Sequence, residues 1–170
     1  MKKILSLGLA LTLVLGMMTA CAKKAPAAKT AEELTTLYQT AIVANGGEMV
    51  EYNPPFTGFV EEDGSQFMLN EMFKLQKEDV KALAVSASMM NVKAYGIAAI
   101  MPAEGKAETV KAALQAFIDL QQQSFEYYLV DQYEVAKAAK LETLSDGTIL
   151  MVMCEGQDTV FNAKIGRAHV

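Results

Sequence analysis

The sequence predicts an α+β fold. It is expected to be a single two-layer domain on a mainly antiparallel four-stranded sheet, in ββαββα order, packed by helices and preceded by N-terminal helices. Three observations predict it. The apolar runs "DVKALAVSASMM" and "NVKAYGIAAIMP" follow one another as neighbouring strands would. The stretch "AEGKAETVKAALQAFIDLQQQSFEYYLVDQYEVAKAAK" carries helical periodicity. After it, "LETLSDGTILMVMC" sets Asp146-Gly147, a two-residue hairpin signal, between two more strand-like runs.

The elements follow in order. Thr30 and Glu33 stand in capping-box spacing, and Leu34, Leu37, Tyr38, Ala41 and Ile42 recur at helical spacing. With Asn45-Gly46-Gly47 as a stop, a helix is expected over 31–44. Pro54-Pro55 excludes a central strand or helix, and Asp63-Gly64 marks a turn. Phe67, Met68, Met72, Phe73 and Leu75 predict a short helix. The two strands meet near Met90-Asn91, and Tyr95, Ile97, Ala99 and Met101 share one face of the second. In the long helix, Val110, Leu114, Phe117, Ile118, Gln121, Phe125 and Tyr128 form the inner stripe, while Lys111, Gln115, Asp119 and Gln122 lie away from it. A shorter helix is expected from Asp131 through Ala139, and "GQDTVFNA" begins a closing one. The helices are expected on one side of the sheet.

The chain opens "MKKILSLGLALTLVLGMMTAC". Lys2 and Lys3 form a positive n-region. Ile4 to about Met18 is an apolar stretch of signal-peptide length, short for a spanning helix. Met18-Thr19-Ala20-Cys21 resembles the lipobox of bacterial lipoproteins, although leucine is more usual than Met18. That resemblance implies cleavage between Ala20 and Cys21 and a diacylglyceryl thioether on Cys21. Two acyl chains hold a protein stably where one holds it only reversibly, each buried CH₂ contributing roughly 0.8 kcal/mol. The organisation expected is a signal peptide at 1–20, a lipid-anchored tether at 21–29 and the α+β domain at 30–164. As a flexible chain, the Ala/Pro/Lys tether spans about 15 Å. Residues 165–170, Ile-Gly-Arg-Ala-His-Val, are what ATC GGA AGA GCA CAC GTC encodes, a string that resembles a common sequencing-adapter read. They are read as a non-native tail, with the natural chain continuing differently after Lys164, and His169 is given no functional weight.

Removing residues 1–20 takes the 15 basic residues to 13 against 20 acidic ones, a net of −7. Such a chain repels phosphate backbones, so no nucleic-acid partner is expected. With Cys21 consumed by lipid, Cys154 has no partner for a disulfide and reads as a core thiol in an apolar strand.

Several chemistries are missing from the residue pattern. Apart from His169 there is no imidazole, no GxxxxGK[ST] or GxGxxG phosphate loop, no CxxC pair, and no SxxK spacing in the domain. No catalytic residue, metal site or cofactor is assigned. Glu61-Glu62-Asp63-Gly64 reads as a solvated turn rather than a calcium loop. Met151, Met153 and the Met89-Met90 pair read as gap-filling methionines rather than Cu(I) ligands. Tyr127, Tyr128 and Tyr133 surround the joint of the two helical segments. Packing on the sheet is the simpler reading, and a ligand groove is the functional one.

The signal-lipobox start, "ALAVSASMMNVKAYGIAAI", "GKAETVKAALQAFIDLQQQSFEYYLVDQYEVAKAAKLE", a hairpin and a closing helix resemble the small Gram-positive lipoproteins grouped as domain of unknown function 4358. The resemblance covers roughly Asp79 to Val160 and carries no assigned activity. It implies a monoderm host and an outward-facing position on the plasma membrane. The expected function is a non-enzymatic binding or interaction module, anchored in membrane lipid through Cys21 and taking an envelope protein or small ligand. The alternatives are an envelope enzyme using carboxylates or Ser/Lys, and an accessory subunit of a transporter or signalling complex.

Overall fold

The computed structural model describes residues 29–163 and 165. The elements are α1 (Ala31–Asn45), α2 (Met49–Tyr52), α3 (Ser65–Phe67), β1 (Val80–Ala87), β2 (Gly96–Pro102), α4 (Ala107–Phe125), α5 (Val130–Lys137), β3 (Lys140–Thr143), β4 (Ile149–Met153) and α6 (Gln157–Asn162). The strands form one antiparallel sheet in the order β1-β2-β4-β3. The α+β class, the single sheet and the ββαββα order are those expected from the sequence.

The layering is different. Helices cover both faces of the sheet, so the domain has three layers rather than two. On the first face, Leu83, Val85, Ala98, Ile100, Met151 and Met153 pack against α4, α5 and the segment from Met68 to Leu75. On the second, Ala82, Ala84, Ile97, Ala99, Leu150 and Val152 pack against α1 and α6. All five residues of β4 are buried. A strand covered on both sides needs apolar side chains at odd and even positions alike, and "ILMVM" supplies them.

Each helix is fixed by local chemistry and by its inner stripe. Both halves of the capping box on α1 form: Thr30 Oγ1 accepts the Glu33 N–H, and Glu33 Oε2 accepts the Thr30 N–H. Leu34, Tyr38 and Ile42 are its buried stripe. On α4 the stripe ends at Phe125, and Phe117 stacks on Phe73 with ring centroids 4.2 Å apart. Gly96 lets α4 approach the sheet, because a Cβ there would lie 2.8 Å from Phe117 Cε1. The predicted short helix at 65–75 is one α turn running into a π turn, Met68–Met72, closed by the Phe73 N–H on the Met68 carbonyl.

Two turns depart from expectation. Leu144 N–H bonds the Thr148 carbonyl, leaving a three-residue loop, Ser145 to Gly147, with Gly147 at φ +90°. The Asp146 carboxylate accepts from the Thr148 N–H and hydroxyl, which draws Asp146 out of a two-residue turn. The β1–β2 connection runs from Ser88 to Tyr95, longer than the turn expected at Met90-Asn91. Beyond Pro54-Pro55, Phe56 exchanges two backbone hydrogen bonds with Val85 and so caps the exposed edge of β1.

The sheet has two distinct ends. The middle of α1 reaches the β3–β4 turn, where Tyr38 Oη lies 2.7 Å from Thr148 Oγ1. The C-terminal end of α1 reaches the β1–β2 connection at Gly46, so in a helix of about 22 Å, at 1.5 Å per residue, its first residues lie at the turn end of the sheet. The segment read as a tether therefore joins the described residues at the end that carries the β3–β4 turn. We call this the tether end and the other the loop end.

Candidate functional site

The loop end is built from four separated segments. The α1–α2 turn brings Gly46, Gly47 and Glu48; the β1–β2 connection brings Lys93, Ala94 and Tyr95; the first turn of α5 brings Gln132; and the end of β4 brings Cys154 and Glu155. Together with Met49 and Tyr52 they line a cavity of about 420 Å³. Gly46 is required there, because a Cβ would lie 2.2 Å from Val50 Cγ2 and 2.7 Å from the Ile42 carbonyl.

The floor of the cavity is polar, buried and hydrogen-bonded. Gln132, 3% exposed, accepts the Ala94 N–H through Oε1 at 3.0 Å and donates to Asp131 Oδ2 through Nε2. One side chain thereby fastens the β1–β2 connection to α5. Tyr95 Oη lies 3.0 Å from Ser86 Oγ, and that hydroxyl donates to the Asn53 carbonyl at 2.6 Å. Burial pushes the Tyr95 phenol up to about 12, against the Ser86 hydrogen bond.

The rim is ionic and open to water. Lys93 Nζ lies 2.7 Å from Glu155 Oε1. The Lys93 hydrogen bond, followed by one from Gln132, holds the Glu155 carboxyl below the usual carboxylate range. The Gln132 side chain does the same for Asp131. Burial, and then the Glu155 charge, pushes the Cys154 thiol up to about 11. At neutral pH both carboxylates are ionised and the thiol is protonated. The arrangement is suited to recognition: it holds charged acceptors in place, and neither carboxyl is poised to give up a proton.

Exposed apolar side chains accompany these charges. Eleven large hydrophobic side chains are exposed among the described residues, and seven of them stand on, or within a few residues of, segments that line the cavity. They are Tyr52, then Met89, Met90 and Val92, then Tyr127, Tyr128 and Val130.

The sequence-predicted site residues fall differently. Tyr127 and Tyr128 are 91% and 64% exposed, in the turn after Phe125, so Tyr128 leaves the inner stripe of α4. Tyr133 packs partly buried on the first-face core, with Lys137 Nζ 5.1 Å from its ring centroid. None of the three tyrosines lines the cavity. Ala20 and Cys21 lie outside the described residues. Met151 and Met153 are core residues on the first face. Asp63 caps a turn by accepting the Ser65 N–H, and the Ser65 side chain, followed by that N–H, holds its carboxyl below the usual range. Ile165, first residue of the segment read as a tail, is fully buried in the second-face core. No helix among the described residues is long and apolar enough to cross a membrane, and none of their His, Cys, Asp and Glu side chains group in threes fit for a metal ion.

Sequence reasoning missed the cavity because its walls share no spacing motif. The one available signal was local: "SMMNV" is an apolar loop, and apolar side chains in a surface connection call for an explanation.

A family model described as "Domain of unknown function (DUF4358)" matches residues 60–154. The match takes in the whole sheet, α4, α5 and three of the four segments around the cavity, and ends at Cys154. No curated protein and no solved structure matches the chain.

Proposed function

For this chain, which belongs to the DUF4358 family, we propose a lipid-anchored, extracytoplasmic interaction module that binds through its loop end. The observation that carries the reading is the concentration of exposed Tyr, Met and Val around a cavity with a fully hydrogen-bonded floor. Exposed apolar surface costs solubility, and contiguous patches of it mark places where something docks. Tyrosine and methionine suit that use, the first as a rigid amphipathic anchor and the second as an adaptable one.

The anchor reading rests on the order of n-region, apolar stretch and Cys21. Geometry gives it a consequence. The tether joins α1 at Thr30, at the far end of the domain from the cavity, so the loop end stands off the bilayer and is open to partners in the envelope.

Two measurements test the reading. The intact protein carries a diacylglycerol mass on Cys21, and Cys21→Ser abolishes that mass and releases the protein from the membrane fraction. Wild-type protein without added lipid, or unchanged retention of the variant, contradicts the anchor. A photoreactive residue in place of Met90 gives a discrete adduct in intact cells. Only a bystander smear, or no adduct, contradicts the binding module.

A further inference from the structure

We infer that the loop end takes a basic, amphipathic polypeptide segment, and that Lys93 occupies the anchoring position for one of its cationic side chains while the site is free. This rests on the binding role proposed for the loop end. The charge there is lopsided. The segments that build it carry Glu48, Glu51, Glu126, Asp131 and Glu155 against the single cation Lys93. Glu51, Glu126 and Asp131 are chain neighbours of the exposed Tyr52, Tyr127 and Val130, and Glu48 and Glu155 line the cavity itself. A complementary partner presents Lys or Arg between large apolar residues.

The same lopsidedness excludes a second copy of the chain. A two-fold pairing of loop ends would set five carboxylates against five with two lysines between them, and like charges across an interface are costly.

The Lys93–Glu155 pair explains how the partner enters. Its two side chains are 44% and 66% exposed, at the mouth of the cavity. An ion pair this open to water contributes about 0–1 kcal/mol, so exchanging its lysine for a partner's costs little. Asp131 lies near enough to act on Lys93 electrostatically, which keeps the position cationic whichever lysine fills it. Behind it the Gln132 bridge holds the β1–β2 connection on α5, so the pocket stays formed while its occupant changes.

The test uses the full chain and three labelled synthetic peptides: one alternating Leu with Lys, one alternating Leu with Glu, and one alternating Ser with Lys. The Leu/Lys peptide binds and the other two do not, because one lacks the charge and the other the apolar contacts. Glu155→Gln weakens the Leu/Lys peptide about threefold, because the partner's ion pair lost from the complex is only partly offset by the Lys93 pair lost from the free protein. Lys93→Gln removes the internal competitor and tightens binding about threefold, within the range of an exposed ion pair. Equal binding of Leu/Lys and Leu/Glu peptides, weaker binding by Lys93→Gln, or a concentration-dependent dimer in sedimentation overturns the inference. A discrete adduct at Met90 alongside any of those results overturns the charge assignment alone. Absence of an adduct overturns the binding role as well.

Discussion

The two ends of the sheet are closed in opposite ways. At the tether end, polar groups face one another. Tyr38 meets Thr148, and Thr148 donates to Asp146. Lys106 Nζ lies 2.9 Å from Asp79 Oδ1, while Asp79 Oδ2 accepts the Gln76 N–H. Tyr38, Thr148 and Asp79 are buried. At the loop end only the floor is satisfied internally, and the rim shows water an ion pair and seven large apolar side chains. The contrast teaches that stability and recognition are separated along one sheet. Where side chains satisfy each other the fold is held, and where they are left exposed there is surface to give to a partner.

Substitutions at the two ends break or sharpen this comparison. The largest effect belongs to the tether end. Tyr38→Ala empties a fully buried site and removes the hydroxyl that meets Thr148 Oγ1, lowering stability by about 3–5 kcal/mol in urea unfolding. Tyr38→Phe isolates the hydroxyl, at about 1 kcal/mol. A Tyr38→Ala chain as stable as wild type would remove the tether end's role as the structural one.

Next comes Asp79→Asn, at about 1–2 kcal/mol. Its hydrogen bonds from Lys106, followed by that from Gln76, hold the Asp79 carboxyl below the usual range in the folded protein. The contribution is therefore full above the unfolded carboxylate pKa of about 3.9, and is lost as pH falls through the lower folded value. Wild type and Asp79→Asn converge in stability as pH falls through that window, and diverge above it. A gap that stays constant with pH would show that Asp79 acts through packing alone.

The smallest effect on stability, and a large one on binding, belongs to the loop end. The double variant Tyr127→Ser, Tyr128→Ser stays within about 0.5 kcal/mol of wild type, because both rings already stand in water. Partner capture through Met90 falls sharply in the same protein. Loss of stability without loss of capture would reverse the assignment of the two ends.

Much of the fold was legible in the chain. The capping box at Thr30 and Glu33, the α4 stripe through Phe125, and the shared face of Tyr95, Ile97 and Ala99 are local patterns with local causes. The second helical layer was written there too, in the unbroken apolar run of β4. An amphipathic reading of α1 alone does not reveal it, since only Leu34, Tyr38 and Ile42 carry that contact. The π turn at Met68–Met72 differs from an α turn by one residue in its hydrogen bonding, and apolar spacing does not distinguish the two over five residues. The cavity depends on long-range closure. Gln132 meets Ala94 across 38 residues, and Lys93 meets Glu155 across 62, so no window of sequence contains the site. Tyr127 and Tyr128 were visible as candidates, but their exposure follows from where α4 stops, which is set by the turn that closes on Phe125.

In the function proposed above, one end of this small acidic domain faces the bilayer while the opposite end engages a partner. Photoreactive residues placed one at a time at Met90 and at Ser145, in intact cells, test it most directly. Capture of a discrete protein from Met90 and of lipid or nothing from Ser145 is the predicted result. The same protein captured from Ser145 alone, with Met90 silent, would contradict it.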